Sequence, residues 1–350
     1  MTSSTGGSGA SVLVAMSGGV DSSVAAALLV EAGHDVTGVT LRLWGGDTDS
    51  GCCSVADVED ARRVAAQLGI PHYVFNLSER FDEAVVEPYI AAHAAGQTPN
   101  PCVECNRAIK FGVLLDRAEQ LGFEHIATGH HARVRGDEHA GWGLLRGADD
   151  AKDQSYVLYM LGQTELARTR FPVGEMTKAE VRAHAARLGL RTAAKAESMD
   201  VCFVRREDRL AFVDARAGAR PGDVVDTAGR VLARHDGVSH YTIGQRRGLG
   251  VAFGEPRYVL DVAPSTATVT IGSRDELLRE QIPVRDLTWV RGTGPGQGTL
   301  DVQTRAHGVP VAGRIIEDTV TLEVPIPRVA PGQVVALYDG GALVGGGIAA

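Results

Sequence analysis

After a Ser/Gly/Thr-rich start, Met1 to Ala10, the chain turns apolar at Val12-Leu13-Val14. It becomes polar and glycine-rich over Ser17-Gly18-Gly19-Val20-Asp21-Ser22-Ser23, then apolar again from Val24 to Val30. That order predicts a strand, a tight loop and a helix. The β-rich run Asp35 to Leu43, bounded by Gly33, predicts a second parallel strand, and His72 to Asn76, after Pro71, a third. Ser54 with Asp57 has the form of a capping box for a helix through Leu68. Further helices are expected from Ser78 to Ala94, kinked near Pro88, and from about Arg107 to Leu121. His125 to His131 reads as another strand, ending in Gly129 and two histidines. Strands and helices alternating at this length imply a parallel sheet covered on both faces. Ligands of such sheets bind beyond the carboxyl ends of the strands.

Farther along, two short extended pieces are expected near Ala132–Val134 and Gly143–Leu145, and Lys152 to Tyr156 opens a helix. Thr177 with Glu180 caps another helix, to Leu188. Past Cys202 the pattern changes. One charged helix is expected over 205–216, followed by short strands between turns at Pro221-Gly222, Ala228-Gly229 and Asp236-Gly237. From about Thr268 the alternation of Val, Ile and Leu with Gly and Pro turns suggests a barrel that closes with Val344 to Ile348. The expected fold is an α/β N-terminal domain with a parallel sheet, a small central α+β domain and a C-terminal all-β barrel. The corresponding divisions are a disordered tail at 1–10, then 11–204, 205–272 and 273–350. No solenoid-length repeat is present.

Composition narrows the function. The 350 residues, 44% of them hydrophobic, suffice for two or three domains. No run of about 18 apolar residues is present, so no membrane span is expected. The tail lacks the basic and apolar regions of a signal peptide. Five cysteines, an odd number without a secretion signal, fit a reducing cytoplasm and reactive or metal-binding thiols. A net charge of -8 argues against a general nucleic-acid coat but leaves room for a specific RNA partner. His240 to Gly250 is basic and glycine-rich, a phosphate-backbone cradle or a solvated loop.

The first loop carries the clearest chemistry. Paired glycines let backbone approach a ligand, and a helix N-terminus favours an anion. The loop has no Lys, which excludes the G-x-x-x-x-G-K-[ST] nucleotide loop. Asp21 stands where it either holds a metal ion on a polyphosphate or caps the helix. In Asn100-Pro101-Cys102-Val103-Glu104-Cys105-Asn106, two prolines disfavour helix before Cys102, and a helix from Arg107 puts Cys105 near its N-terminus, which lowers a thiol pKa. The C-x-x-C spacing fits half a zinc site, a redox pair or cluster ligands, with Cys52-Cys53 a badly spaced second half for zinc. Cys202 reads as a small core residue, or as a site thiol given Lys195, Ser198 and Asp200 nearby.

The loop resembles the signature of the ATP-pyrophosphatase (PP-loop) superfamily, which cleaves ATP between its α and β phosphates. Ala-Met-Ser-Gly-Gly-Val-Asp-Ser-Ser, Thr-Pro-Asn-Pro-Cys-x-x-Cys-Asn, Ala-Thr-Gly-His, Lys-Asp-Gln-Ser-Tyr, Cys-Phe and Gly-Gln-Arg-x-Gly-Leu-Gly occur in that order. Together they resemble the bacterial tRNA-specific 2-thiouridylases over nearly the whole chain. The resemblance implies sulfur transfer to C2 of the wobble uridine, position 34, in tRNAs for Lys, Glu and Gln. It implies an ATP site at Ala15, Met16, Ser17, Gly18, Gly19, Val20, Asp21 and Ser22, flanked by Leu41 and Gly129, with Mg²⁺ near Asp21. Cys105 matches the family nucleophile, and Cys202 the persulfide carrier that forms a disulfide with it. Asn100, Pro101 and Cys102 match the segment that meets the target base. Lys152, Asp153, Gln154, His130 and Gln333 match tRNA contacts. Arg305-Ala306 replaces the family's usual Arg-Tyr, and Cys102 stands where some members have Asp. The implied partners are the tRNA anticodon stem-loop and a cysteine desulfurase or sulfur-relay protein.

Three alternatives accompany this reading. Cys102, Cys105 and Cys202 are enough thiols for a 4Fe–4S cluster with an open iron. A PP-loop amide-forming enzyme needs neither paired cysteines nor an RNA-binding barrel. A non-catalytic RNA-binding module has no use for the intact Ser17–Ser23 loop.

Overall fold

The computed structural model describes residues 9–44, 54–196, 201–205, 207–250 and 254–350. Most of the expected tail, Cys52, Cys53, Ser198 and Asp200 lie outside the described residues. The N-terminal domain contains β1 (Ser11–Ala15), α1 (Val20–Glu31), β2 (Asp35–Arg42), α2 (Val55–Leu68) and β3 (His72–Asn76). Alternation along β1 sets the layers. Val12 and Val14 pack with α1 and α2, while Leu13 packs into the core on the opposite face. Burying each such side chain contributes about 1.5–3 kcal/mol. The Ser54–Asp57 capping box is present and starts α2.

The two helical runs that follow depart from expectation in instructive ways. α3 (Ser78–Phe81) passes through a wide π-type turn at Asp82–Val86 into α4 (Glu87–Ala94). Pro88 therefore sits in the first turn of α4, and the irregularity falls just before it, where its missing N–H and its ring disrupt regular bonding. The next run begins at Pro101, not Arg107: α5 (Pro101–Glu104), a wide turn at Cys105–Val113, then α6 (Leu114–Gln120). Asn100 accepts the Cys102 N–H at 3.1 Å, and Pro101 occupies the position where a proline suits a helix start. Cys102 is thus in the first turn, and Cys105 a turn deeper.

β4 (His125–Ala127) follows, then the hairpin β5 (Ala132–Asp137) and β6 (Gly141–Arg146), α7 (Gln163–Ala167), β7 (Thr169–Arg170) and α8 (Lys178–Arg187). The parallel sheet has the order β3-β2-β1-β4-β7. All pairings are parallel, but the chain adds β2 and β3 on one side of β1 and β4 and β7 on the other, and this switch in winding between β1 and β4 opens a crevice there. In place of the helix expected at Lys152 is a short 3-10 turn, Ser155–Leu158. Asp153 turns its carboxylate back onto local backbone and stops a regular helix from starting.

The central domain comprises α9 (Arg209–Ala217) and β8 (Gly222–Val225), β9 (Val231–His235), β10 (Tyr258–Ala263) and β11 (Thr268–Gly272), in the sheet order β10-β11-β8-β9. Thr268–Gly272, where the barrel-like alternation begins, therefore belongs to this sheet. The barrel follows α10 (Arg274–Leu277). It consists of β12 (Leu278–Trp289), β13 (Leu300–Gln303), β14 (Val311–Ile316), β15 (Thr319–Pro327), β16 (Val334–Asp339) and β17 (Ala342–Ala349), ordered β12-β15-β14-β13-β16-β17 and closed by β12–β17 pairing. The β5–β6 hairpin extends this sheet, because Ala342 and Leu343 of β17 pair with Leu145 and Leu144. Among the described residues, no helix is long and apolar enough to cross a membrane.

Candidate active site

The loop after β1 enters α1 through Gly19, which offers no side-chain cap to the helix. The first-turn N–H groups of α1 are therefore left for another acceptor, and an anion suits them. Ser22 Oγ accepts the Ser17 N–H at 3.1 Å, which holds the loop in a tight curve. Two glycines permit close approaches here. Gly18 has φ of 71°, and a Cβ on it would lie 2.3 Å from the Asp57 carbonyl oxygen. A Cβ on Gly129, just past β4, would lie 2.6 Å from the Ser22 nitrogen. The α1 terminus, the α2 terminus and the β4 loop thus converge only because these positions lack side chains.

Lys195 anchors the loop from outside. Its Nζ donates to the Gly18 carbonyl at 3.0 Å, to Asp57 at 2.6 Å and to Asp60 at 2.7 Å. Partial burial works against the charged ammonium, but the two carboxylates more than offset this and raise its pKa.

Beyond the strand ends lies a cavity of about 290 Å³. Ala15, Met16, Ser17, Asp21 and Ser22 form one wall, with Leu41 and Leu43 beside them. Thr128, Gly129, His130 and Gln154 form another, and Cys102, Lys110 and Cys202 complete it. This space brings together much of the expected nucleotide loop, both flanking residues, one base-segment residue and the expected persulfide carrier. His130 is buried, with Nδ1 2.6 Å from Thr128 Oγ1. Burial, and then the Lys110 charge, push its pKa well below the ordinary histidine value, so it stands in the cavity as a neutral imidazole.

Cys105 is not on the cavity wall. It is 6% exposed, within the core cluster. Its neighbour Asn106 donates to the Val157 carbonyl at 3.0 Å, tying this helical run to the turn at Ser155. Cys102, Cys105 and Cys202 carry thiols without a disulfide among them. Among the described residues, no three His, Cys, Asp or Glu side chains are grouped so that they could hold a metal ion. The three cysteines therefore do not form the donor set that a 4Fe–4S cluster requires.

The expected tRNA contacts fall into two groups. Arg305 and Ala306 are exposed on the barrel, and Gln303 Nε2 donates to both their carbonyls at 2.9 Å. Lys152 is half-buried. Asp153 is buried, bonded to Arg146 at 2.9 Å, to the N–H groups of Gly147 and Ser155, and to Ser155 Oγ. Gln154 accepts the His131 N–H at 2.9 Å. Gln333 donates its amide to the Thr98 carbonyl. Asp153 and Gln333 thus have structural work in this protein whatever else they touch.

Two lysines on or beside the cavity escape a motif-based reading: Lys110 and Lys178. Lys178 donates to both carboxylate oxygens of Asp21 at 2.7 Å, and His131 Nε2 lies 3.2 Å from the same carboxylate. Burial tends to raise the Asp21 pKa, but the bonds from His131 and Lys178 outweigh it and hold the carboxylate below its usual range. One sequence signal was available. Lys178 is the first residue of α8, where a cation opposes the helix dipole, so its position calls for a partner.

Fold and cavity together define a nucleotide-binding α/β domain carrying two β-rich domains and a pair of cysteines on the nucleotide cavity. The profile described as "tRNA methyl transferase HUP domain" matches residues 10–206. Those described as its PRC-barrel domain and as "Aminomethyltransferase beta-barrel domain" match 210–273 and 279–349. The tRNA-specific 2-thiouridylase MnmA of Roseiflexus castenholzii is 49% identical, over 97% of this chain and 98% of that one. Those of Frankia casuarinae and Geobacter metallireducens are 48% and 44% identical, each over 96% of this chain and over 97% and 95% of their own. The chain belongs to the tRNA-specific 2-thiouridylase family. Among solved structures, the U34-tRNA thiolase NcsA from Methanococcus maripaludis is similar at 19% identity and a TM-score of 0.36, over 58% of this chain and 64% of that one.

Proposed function

We propose that the protein is a cytoplasmic enzyme that replaces the C2 oxygen of uridine 34 with sulfur in tRNAs for Lys, Glu and Gln, at the expense of ATP. The observation that carries this reading is the shared cavity, in which Cys202 and Cys102 face the uncapped α1 terminus. A uracil oxygen is a poor leaving group, and transfer of AMP from ATP onto it makes it a good one. The loop Ala15–Ser22 holds the triphosphate, and Leu41 and Gly129 flank the adenine. Among the described residues the wall carries a single carboxylate, Asp21, which suits Mg²⁺ held mainly by phosphate oxygens and water once the nucleotide is present. When bound, Mg²⁺ offsets the charge of the departing pyrophosphate.

Position 34 lies in a single-stranded loop, so its base can be splayed into the cavity against Asn100, Pro101 and Cys102. A desulfurase or sulfur-relay partner loads Cys202 as a persulfide. The terminal sulfur attacks C2, and the C2–O bond breaks with release of AMP. A second thiol then attacks Cys202 Sγ; the S–S bond breaks, its electrons stay with the sulfur on C2, and a protein disulfide forms. An external thiol must reduce that disulfide before the next turnover. Cys105 is the family's residue for this step. The cavity also favours a second reading, in which Cys102 closes the disulfide, because Cys102 lines the cavity while Cys105 is buried and is not on its wall.

The test is thiolation of transcribed tRNA-Glu with ATP, Mg²⁺, cysteine and a cysteine desulfurase, read by mass spectrometry of nucleosides. Thiouridine at position 34 that requires ATP is expected. None, with a donor and tRNA that a known thiouridylase accepts, refutes the reading.

A further inference from the structure

Lys178 and Asp21 are 157 residues apart, yet the ammonium rests 2.7 Å from each carboxylate oxygen. The pair is sheltered: the Lys178 side chain is 13% exposed and that of Asp21 29%. Lys178 reaches the site from a fixed base. Its N–H donates to Asp149 at 2.9 Å, and the Thr177–Glu180 capping box fixes the start of α8. This arrangement conflicts with metal binding. A Mg²⁺ ion on Asp21 needs an oxygen at about 2.1 Å, which brings a dication against an ammonium already on both oxygens. Displacing that ammonium without a replacement anion strands a positive charge in a half-closed site, which is costly.

We propose that Lys178 is a pyrophosphate-binding residue that exchanges partners. Without nucleotide it closes over Asp21. When the metal–ATP complex enters, Lys178 passes to the β- and γ-phosphate oxygens and Asp21 becomes free to take the metal. The triphosphate supplies the anion that metal alone lacks, so metal and nucleotide bind together, and metal does not bind Asp21 ahead of the nucleotide. Lys178 then stays on the pyrophosphate as it leaves. The proposal rests on reading the Ala15–Ser22 loop as the ATP site and adds to it the residue that governs metal entry.

The experiment uses the full chain, Mn²⁺ as the metal probe followed by electron paramagnetic resonance, and α,β-methylene-ATP, which is not cleaved. Without nucleotide, wild type and Asp21→Asn are expected to bind Mn²⁺ equally weakly. Lys178→Gln should gain a Mn²⁺ site without nucleotide, and Lys178→Gln/Asp21→Asn should lose it. Affinity for the Mn²⁺–analogue complex should fall about tenfold or more in Lys178→Gln, as expected for loss of a charge-assisted bond, and stay within about threefold in Lys178→Arg. Wild type that binds Mn²⁺ through Asp21 without nucleotide overturns the exchange, and that arm needs no Lys178 variant to fold. Unchanged analogue affinity in Lys178→Gln overturns the pyrophosphate contact. If wild type fails to bind the Mn²⁺–analogue complex at all, the ATP-site reading falls and the proposal with it, a result distinct from either of the others.

Discussion

The N–H of Thr98 donates to the carbonyl of Pro331, 2.7 Å away and on the barrel. Gln333 returns the bond by donating its amide to the Thr98 carbonyl, and Thr98 Oγ1 lies 3.3 Å from Thr242 Oγ1 of the central domain. All three domains meet at this one residue, four positions before Cys102. The segment at Gly96–Thr98 is pressed from both sides. A Cβ on Gly96 would lie 2.7 Å from Pro264, and one on Gly332 would lie 3.2 Å from Thr98 backbone. The barrel and central domain therefore hold the approach to the Asn100–Cys102 segment.

This clamp gives Gln333 a positioning role. Gln333→Ala removes a bond to a backbone carbonyl, worth about 0.5–1.5 kcal/mol, so kcat for thiolation should fall about two- to tenfold. Affinity for α,β-methylene-ATP should remain within about twofold. A change confined to KM for tRNA would show that Gln333 acts only by touching RNA.

The cysteines separate by chemistry. Cys202→Ser should abolish thiolation while leaving tRNA binding and adenylation intact. If Cys105 is the resolving thiol, Cys105→Ser is inactive and Cys102→Asp is tolerated. If Cys102 is, the inactivating change is at Cys102, and a Cys102–Cys202 disulfide accumulates after one turnover without reductant. Peptide mapping of the oxidised enzyme distinguishes them.

Asp153 joins Arg146, two backbone N–H groups and Ser155 in a buried knot, and Arg146 also stacks 3.6 Å over the Tyr338 ring of the barrel. Asp153→Ala strands the Arg146 charge. Stability should fall by about 3 kcal/mol or more, read as a lower urea midpoint. The folded fraction should retain its tRNA affinity within about threefold; a large loss of affinity at unchanged stability would assign Asp153 to RNA instead.

His93 makes stability depend on pH. Burial, and then the Arg209 charge, lower its pKa from 6.5 to about 4, and its ring packs edge-on against Tyr89. The unfolded chain takes up this proton near pH 6.5, while the folded chain stays neutral until about pH 4. Stability is therefore intact above pH 6.5 and declines as pH falls toward 4, by about 3 kcal/mol from this residue. In His93→Phe, urea unfolding across that range should lose that much of its pH dependence. An unaltered slope would contradict the assignment.

Elements whose signals are local were legible in the chain alone. Val12-Leu13-Val14 before Ser17–Ser23 specified strand, loop and helix, and the boxes at Ser54 and Thr177 fixed two helix starts, because the bonds involved span three or four residues. The ordered motifs were enough to identify the family. Tertiary structure decided what depends on distant chain. The helix start at Asn100 and Pro101 is a local signal that the expected start at Arg107 missed, but it takes the fold to put Cys102 on the cavity wall and bury Cys105. The β5–β6 hairpin carries no mark of its partner, since edge-strand pairing depends only on which backbone lies alongside, and that is β17. Lys178 on Asp21 and Thr98 between Pro331 and Gln333 are contacts across more than 150 residues. No periodicity encodes them; they exist because the folded sheet and barrel bring those positions within bonding distance.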